Sequence, residues 1–249
     1  VVFDDITQLI QAQRATAWAE VARRLAHEIK NPLTPIQLSA ERLEMKLAGA
    51  LPPEAAETLH RATRTIVNQV TALKAMVDDF RDYARLPAPV LAPLELNGLV
   101  GEVLALYDDA SVAVLHRYLA TDLPPVRADA MQVRQVLHNL LRNAQYAVKH
   151  RGESSAAAAI EVRTARLSEQ VELSISDTGG GFPEALMARI FEPYVTTKPR
   201  GTGLGLAIVK KIIDEHHGSI AIETLPGGGA RVRILLPVAV QTGTAARAA

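Results

Sequence analysis

The chain has 249 residues, more than one ordinary domain needs, and 48% of them are hydrophobic, so two packed regions are expected. Lys and Arg (27) balance Asp and Glu (27), which gives no support to a nucleic-acid-binding surface, and with aromatics at only 4% the cores must be aliphatic. The absence of cysteine excludes a disulfide framework and any thiolate metal site, and no run approaches the ~20 apolar residues that cross a bilayer.

In chain order, the apolar residues Ile6, Ile10, Ala17, Val21, Leu25, Ile29, Leu33, Ile36, Ala40, Leu43 and Leu47 fall mostly three or four apart. They predict one long helix with a single buried stripe. Gly49 suits its C-terminal cap, and Pro52 and Pro53 suit the start of the next helix. That second helix reads Leu59, Thr63, Ile66, Val70, Leu73, Val77, Phe80 and Ala84, a heptad seam that asks for partner helices. Two antiparallel helices bury little alone, so a homodimer closing a four-helix bundle is expected. Pro87 to Pro93 is proline-rich and reads as a linker. Beyond it, helices are expected over 97–108, 130–149, 183–190 and 204–217. Strands are expected over 112–119, 158–166, 170–177, 219–224 and 230–236.

The fold class is therefore α+β: a helical hairpin, followed by an α/β domain whose helices cover a mostly antiparallel sheet. The expected divisions are 1–15 as the end of an upstream region and linker helix, 16–86 as the hairpin, and 87–93 as the linker. Residues 94–238 form the α/β domain, and 239–249 a disordered tail. Val1 opens neither with an initiator Met nor with a signal peptide, so a soluble piece of a longer protein is expected.

The run Leu25-Ala-His27-Glu28-Ile29-Lys30-Asn31-Pro32-Leu33 carries the first chemistry. At about 100° per residue, Leu25, Ile29 and Leu33 share the buried stripe while His27 points away toward water. Asn31 lies one turn further along that outward face, and Glu28 sits beside His27. An exposed neutral imidazole is a competent nucleophile near pH 7, and an adjacent carboxylate can orient it and take its proton. Pro32 and Pro35 each remove a backbone hydrogen bond and should loosen the helix there. The remaining histidines (His60, His116, His138, His150, His216 and His217) read as solvated side chains.

Three further elements point to nucleotide binding without a GxxxxGK[ST] loop. On helix 130–149, Asn139 and Asn143 lie one turn apart at the edge of the buried side, where amide oxygens can ligate Mg²⁺. A β-branched strand ends in Ser176-Asp177-Thr178-Gly179-Gly180-Gly181, whose carboxylate can accept an adenine amino hydrogen while the glycines let backbone approach the base. Gly201-Thr202-Gly203-Leu204-Gly205 leads into a helix N-terminus that can present N–H groups to phosphate. Taken singly, each is more often a solvated helix edge, a turn or a surface loop.

The string His27-Glu-Ile-Lys-Asn-Pro-Leu-Thr-Pro35 closely resembles the phospho-acceptor box of sensor histidine kinases. Its continuation through Gln37-Leu-Ser-Ala-Glu-Arg-Leu43 looks like the NtrY-type nitrogen-regulation branch. The Asn, Asp-Gly and Gly-Thr-Gly elements together resemble the N, G1 and G2 boxes of Bergerat-type ATPases. Phe191-Glu-Pro-Tyr194 resembles the F box, and Gly227 to Gly229 a last glycine box; the resemblance spans residues 16–237. It implies a Bergerat-type α/β sandwich that binds ATP with Mg²⁺. Asn143 would be the main metal ligand with Asn139 assisting, and Asp177, Gly179 and Gly181 would meet adenine. Residues from Phe182 to Gly203 would be a lid bringing Thr196, Thr197, Lys198 and Arg200 to the phosphates, beside the loop Gly201, Thr202, Gly203, Leu204 and Gly205.

The same resemblance implies autophosphorylation of His27, with Glu28 as proton acceptor, and transfer to an aspartate of a response-regulator receiver domain. Asn31 would position water for a phosphatase activity toward that regulator. The stretch Val1 to Thr7 resembles the closing strand of a PAS sensor domain. A cytoplasmic portion of a protein anchored in the bacterial inner membrane through other segments is implied, with no nucleic-acid partner. Two rivals compete: an ATPase of the gyrase B, mismatch-repair or heat-shock chaperone type, which would lack the histidine box of residues 16–47, and a non-catalytic ATP-binding scaffold.

Overall fold

The computed structural model describes residues 7–107, 113–151, 158–198 and 201–239, with backbone only for 7–23 and Arg85. The PAS-like start before Thr7, the side chains of the stripe before Arg24, Arg200 and the tail beyond Ala239 lie outside the described residues. The chain divides into two compact units, Val1–Pro87 with Thr196–Leu204, and Ala88–Val195 with Gly205–Ala249.

In the first unit, α1 (Thr7–Leu47) runs through Pro32 and Pro35 without interruption and packs on α2 (Pro53–Arg85). Pro53 occupies the first helical position, where its missing N–H costs nothing. Gly49 is not among the glycines with positive φ, so the turn between the helices is closed without the left-handed cap expected there. The Ala50 N–H donates to Leu47 O instead (3.0 Å).

The expected single stripe divides in two. Ala26, Leu33 and Ala40 are buried against Val70, Val77 and Thr63, whereas Leu25, Ile29, Ile36, Leu43 and Leu47 are exposed together with Ile66, Leu73 and Met76. Between the buried residues, every seventh position of α1 carries a polar side chain that reaches across to α2. Lys30 bonds Asp78, Gln37 Oε1 accepts from Lys74 Nζ (2.9 Å), and Glu44 Oε2 accepts from Thr63 Oγ1 (2.7 Å). Glu44 also pairs with His60 Nδ1, and these two hydrogen bonds, His60 first, hold its carboxyl below the usual range.

In the second unit a five-stranded sheet has the order β2-β4-β5-β7-β6, from β2 (Val114–Tyr118), β4 (Ala159–Leu167), β5 (Gln170–Asp177), β6 (Ser219–Thr224) and β7 (Ala230–Pro237). Only the β2–β4 pair is parallel. Period-two burial on β7 seats Val232, Ile234 and Leu236 in register with Ile175, Leu173 and Val171 of β5, one continuous apolar face. Three helices pack around it. They are α3 (Leu96–Ala105), α4 (Ala130–Lys149), which rests on β4 and β5, and α6 (Gly205–Glu215), which rests on α4 and β6. The short helix α5 (Glu184–Met187) covers only part of the stretch expected over 183–190.

A second, two-stranded sheet was not expected: β1 (Ala92–Leu94) pairs with β3 (Val126–Ala128). The linker expected over 87–93 therefore gives its last two residues, Ala92 and Pro93, to a strand. Asp129 secures the same corner. Its Oδ1 caps α4 through Met131 N (2.9 Å) and Gln132 N (3.2 Å), and its Oδ2 accepts from Val90 N (2.9 Å). Burial alone would raise the Asp129 carboxyl, but the three backbone N–H groups of Val90, Gln132 and Met131 outweigh it and hold it below its ordinary value.

His216 is not solvated. It is fully buried, its Nε2 accepts the Asp129 N–H (2.9 Å), and its Nδ1–H donates to Ile212 O (2.7 Å). An imidazole is the side chain that can accept on one edge and donate on the other, which closes both groups without water. His138 is likewise half-buried, bonded to the Tyr107 hydroxyl (2.9 Å). Its imidazole is pushed below the ordinary value by burial and by Arg134 and Arg142.

Candidate functional site

His27 lies on the exposed side of α1, flanked by exposed Glu28 and Asn31, while its neighbour Ala26 is buried in the hairpin. Glu28 Oε1 accepts from Arg24 Nε (2.9 Å), an exposed pair four residues apart. Such a pair is worth well under about 1 kcal/mol, so it leaves the carboxylate free to exchange partners. Pro32 and Pro35 cannot donate the i→i−4 hydrogen bonds to the carbonyls of Glu28 and Asn31, which weakens the helix ladder beside the histidine.

In the second unit α4 gathers the other candidates. Asn139 and Asn143 are half-buried on it, and α6 begins against them: a Cβ on Gly205 would lie 3.6 Å from Asn139 Oδ1 and 4.0 Å from Asn143 Nδ2. One turn beyond Asn143, Ala147 meets the segment after β5, where a Cβ on Gly179 would come within 2.6 Å of the alanine methyl. Ala147 was not singled out in the sequence, because a small residue on a helix leaves no mark until its neighbour is known.

Asp177, at the end of β5, is buried, and its Oδ1 accepts from Gly179 N (2.8 Å), a local turn that fixes the carboxylate. The last glycine box closes over this turn. Gly229 has φ +94°, and a Cβ there would lie 2.1 Å from the Asp177 carbonyl oxygen, so only glycine fits. Asn139, Asn143, Asp177, Gly179, Gly181 and Gly205 thus all belong to one unit, with Gly205 against Asn139 and Asn143 and Gly179 against Ala147 one turn further along α4. Half-buried amide oxygens beside a helix N-terminus suit a hard cation carrying phosphates. Among the described residues, no group of three His, Asp or Glu offers an alternative metal site.

The phosphate-facing candidates are placed otherwise. Thr197, Lys198, Gly201, Thr202, Gly203 and Leu204 sort with the helical unit rather than with the asparagines, and Arg200 lies outside the described residues. Lys198 N donates to Thr196 Oγ1 (3.1 Å), Gly201 N donates to Lys198 O (3.0 Å), and Thr202 Oγ1 donates to Asp79 Oδ2 of α2 (2.7 Å).

Residues 17–89 match the family described as His Kinase A (phospho-acceptor) domain, and residues 128–240 match the Histidine kinase-, DNA gyrase B-, and HSP90-like ATPase. The order of the two, with His27 inside the first and Asn139 to Gly229 inside the second, decides the assignment. The chain belongs to the sensor histidine kinases.

Among histidine kinases, Nitrogen regulation protein NtrY of Azorhizobium caulinodans is 43% identical over 242 residues, covering 95% of this chain but 31% of its own length. The chain thus spans about a third of the length of the curated relatives it matches. Two solved histidine kinases share the fold. Full-length ShkA in complex with AMPPNP has a TM-score of 0.66 at 27% identity, covering 88% of this chain and 46% of that one. ThkA in complex with the response regulator TrrA has a TM-score of 0.64 at 28% identity, covering 95% of this chain and 68% of that one. The gyrase-like rival is thereby set aside, since a phospho-acceptor domain accompanies the ATPase domain.

Proposed function

We propose that this chain is the catalytic core of a homodimeric kinase that transfers the γ-phosphoryl group of ATP to His27 and then to an aspartate of a response-regulator receiver domain. The observation that carries the reading is an exposed histidine within His-Glu-Ile-Lys-Asn-Pro, on the same chain as a unit that brings Gly205 against Asn139 and Asn143, and Gly179, bonded to Asp177, against Ala147 of the same helix.

The α/β unit would hold Mg·ATP, with Asn143 and Asn139 offering amide oxygens to the metal and Asp177 accepting from the adenine amino group beside Gly179 and Gly181. Bound Mg²⁺ supplies charge neutralisation to the phosphates. Thr197, Lys198 and Arg200, with the loop from Gly201 through Leu204, are the proposed phosphate contacts of a lid that joins this unit when nucleotide is present. Phosphoryl transfer is mainly a matter of positioning and of charge. One imidazole nitrogen of His27 bonds to the γ-phosphorus as the bond to the β–γ bridging oxygen breaks, and ADP departs with that oxygen. The imidazole proton passes to Glu28, whose exposed pairing with Arg24 offers little resistance. The segment 87–93 is the proposed linker that accommodates the approach of nucleotide to His27, between a hairpin of 16–86 and an ATP-binding domain of 94–238.

The homodimer reading is supported by the open apolar row of Leu25, Ile29, Ile36, Leu43, Leu47, Ile66 and Leu73, which a second copy of the hairpin would cover. The receiver-domain partner is supported by the likeness to ThkA, solved with its response regulator. Asn31, exposed one turn from His27, would orient water for dephosphorylating that regulator. A cytoplasmic placement of this core is supported by its proposed need for ATP. Among the described residues no helix is long and apolar enough to cross a membrane.

Incubation with Mg²⁺ and γ-labelled ATP tests the reading. Label that survives base and is lost in acid is expected, as for a phosphoramidate. ATP bound without any label would support the scaffold instead.

A further inference from the structure

We infer that Lys30 is a positioning residue for His27, and that its bond to Asp78 holds the weakest part of α1 in the orientation that presents the imidazole; the inference rests on His27 being the phospho-acceptor. Lys30 lies between two prolines' worth of missing hydrogen bonds. Without N–H groups, Pro32 and Pro35 cannot donate the i→i−4 bonds to the carbonyls of Glu28 and Asn31, so α1 is expected to bend most easily over residues 28–35. His27 stands at the N-terminal edge of that window, and a small bend there turns its imidazole about the hairpin axis.

Within one copy of the hairpin few apolar contacts restrain the window, and those that a second copy would add on Ile29 and Ile36 are non-directional. Leu33 is buried, but Ile29 and Ile36 on either side are exposed. The directional restraint is polar: Lys30 Nζ donates to Asp78 Oδ1, and Arg81 reaches the same carboxylate oxygen at 3.3 Å. All three side chains are about a third exposed, so the ion pair contributes modestly to stability while fixing direction. Arg81 is in turn tied to Asp82 (2.8 Å), which raises the affinity of its guanidinium for its proton and keeps the cluster charged. The next rung, Gln37 with Lys74, repeats the geometry one heptad further from the histidine and outside the proline window. The two rungs resemble one another in exposure and in the span they cross, and they differ in their distance from His27.

That difference gives the test. In the 249-residue chain, Lys30→Met keeps the aliphatic stem and removes the bond, Lys30→Arg keeps a donor to Asp78, and Gln37→Leu removes the distal rung. Autophosphorylation is followed at varied ATP, with helicity checked by circular dichroism. Lys30→Met should lower kcat on the order of ten- to a hundredfold, the scale of a misplacement of about 1 Å, with KM for ATP unchanged. Lys30→Arg should recover most of kcat, and Gln37→Leu should leave it near that of the unaltered chain. Should Lys30→Met fail to fold, Asp78→Asn is read by the same criterion. An unchanged kcat in Lys30→Met, or an equal loss in Gln37→Leu, would overturn the inference. A lack of label in the unaltered chain would overturn the reading of His27 itself and this inference with it.

Discussion

In the α/β unit Leu137, Leu141, Leu173, Ile212 and Ile234 are sealed from solvent, whereas in the hairpin Leu25, Ile29, Ile36, Leu43 and Leu73 lie open. The two regions place their functional groups in correspondingly different ways. Asp177 and the asparagines are set by a dense aliphatic core, by a position 229 that only glycine fits, and by a helix capped at Asp129. His27 stands on an exposed face, and what surrounds it is polar and reversible: Arg24 with Glu28, and Lys30 with Asp78. A nucleotide site gains from rigidity, because preorganised donors cost nothing to arrange at the moment of binding. The proposed acceptor, which would meet first an ATP-bearing unit and then a receiver domain, gains from access. In the proposed homodimer the hairpin would gain further stability by covering its open row.

Variants can break this contrast at either end. The largest effect is expected from Leu137→Ala, which leaves a cavity in a fully buried site and should destabilise the α/β unit by about 2–5 kcal/mol in denaturant melts. Nucleotide binding would be lost with it. Asn143→Ala should leave the melt nearly unchanged yet weaken Mg²⁺-dependent binding of a fluorescent ATP analogue on the order of a hundredfold, about 2.7 kcal/mol. Tight binding by that variant would remove Asn143 from the site.

In the hairpin, Ile36→Lys should leave nucleotide binding untouched and shift the chain from dimer toward monomer in light scattering, by about 1–2 kcal/mol of association free energy. The smallest effect is expected from Asp129→Ala, about 1 kcal/mol for the lost cap. Its dependence on pH has a definite sign. The folded carboxyl sits below its ordinary value of 3.8, so its contribution is complete above that value. It fades as pH falls through the lower folded value, and the difference between Asp129→Ala and the unaltered chain should shrink only in strong acid.

Much of this organisation was legible in the sequence, and the parts that were not share physical causes. The bounds of α4, β5 and β6 follow the sequence reading residue for residue, because each is long enough for its period to count. The strands β1 and β3 are three residues each, too short for alternation to show. The stripe of α1 was read from apolar residues alone. Lys30, Gln37 and Glu44 therefore passed unnoticed as seam positions, and Leu25, Ile29 and Ile36 were credited with burial that one copy of the hairpin does not provide. His216 carries no sequence mark of burial, since its two partners are backbone groups, one of them 87 residues away. The candidates on α4 and after β5 lie in one unit, whereas Thr197, Lys198 and Gly201 to Leu204 sort with the helices, because a loop's packing is set by neighbours that its own residues do not name.

We propose that one unit binds ATP while His27, on the other, accepts its phosphate. The most direct test is to measure ATP binding and acid-labile label side by side in His27→Ala. The account predicts binding equal to that of the unaltered chain and no label at all. Label retained in His27→Ala, still stable to base and lost in acid, would contradict it.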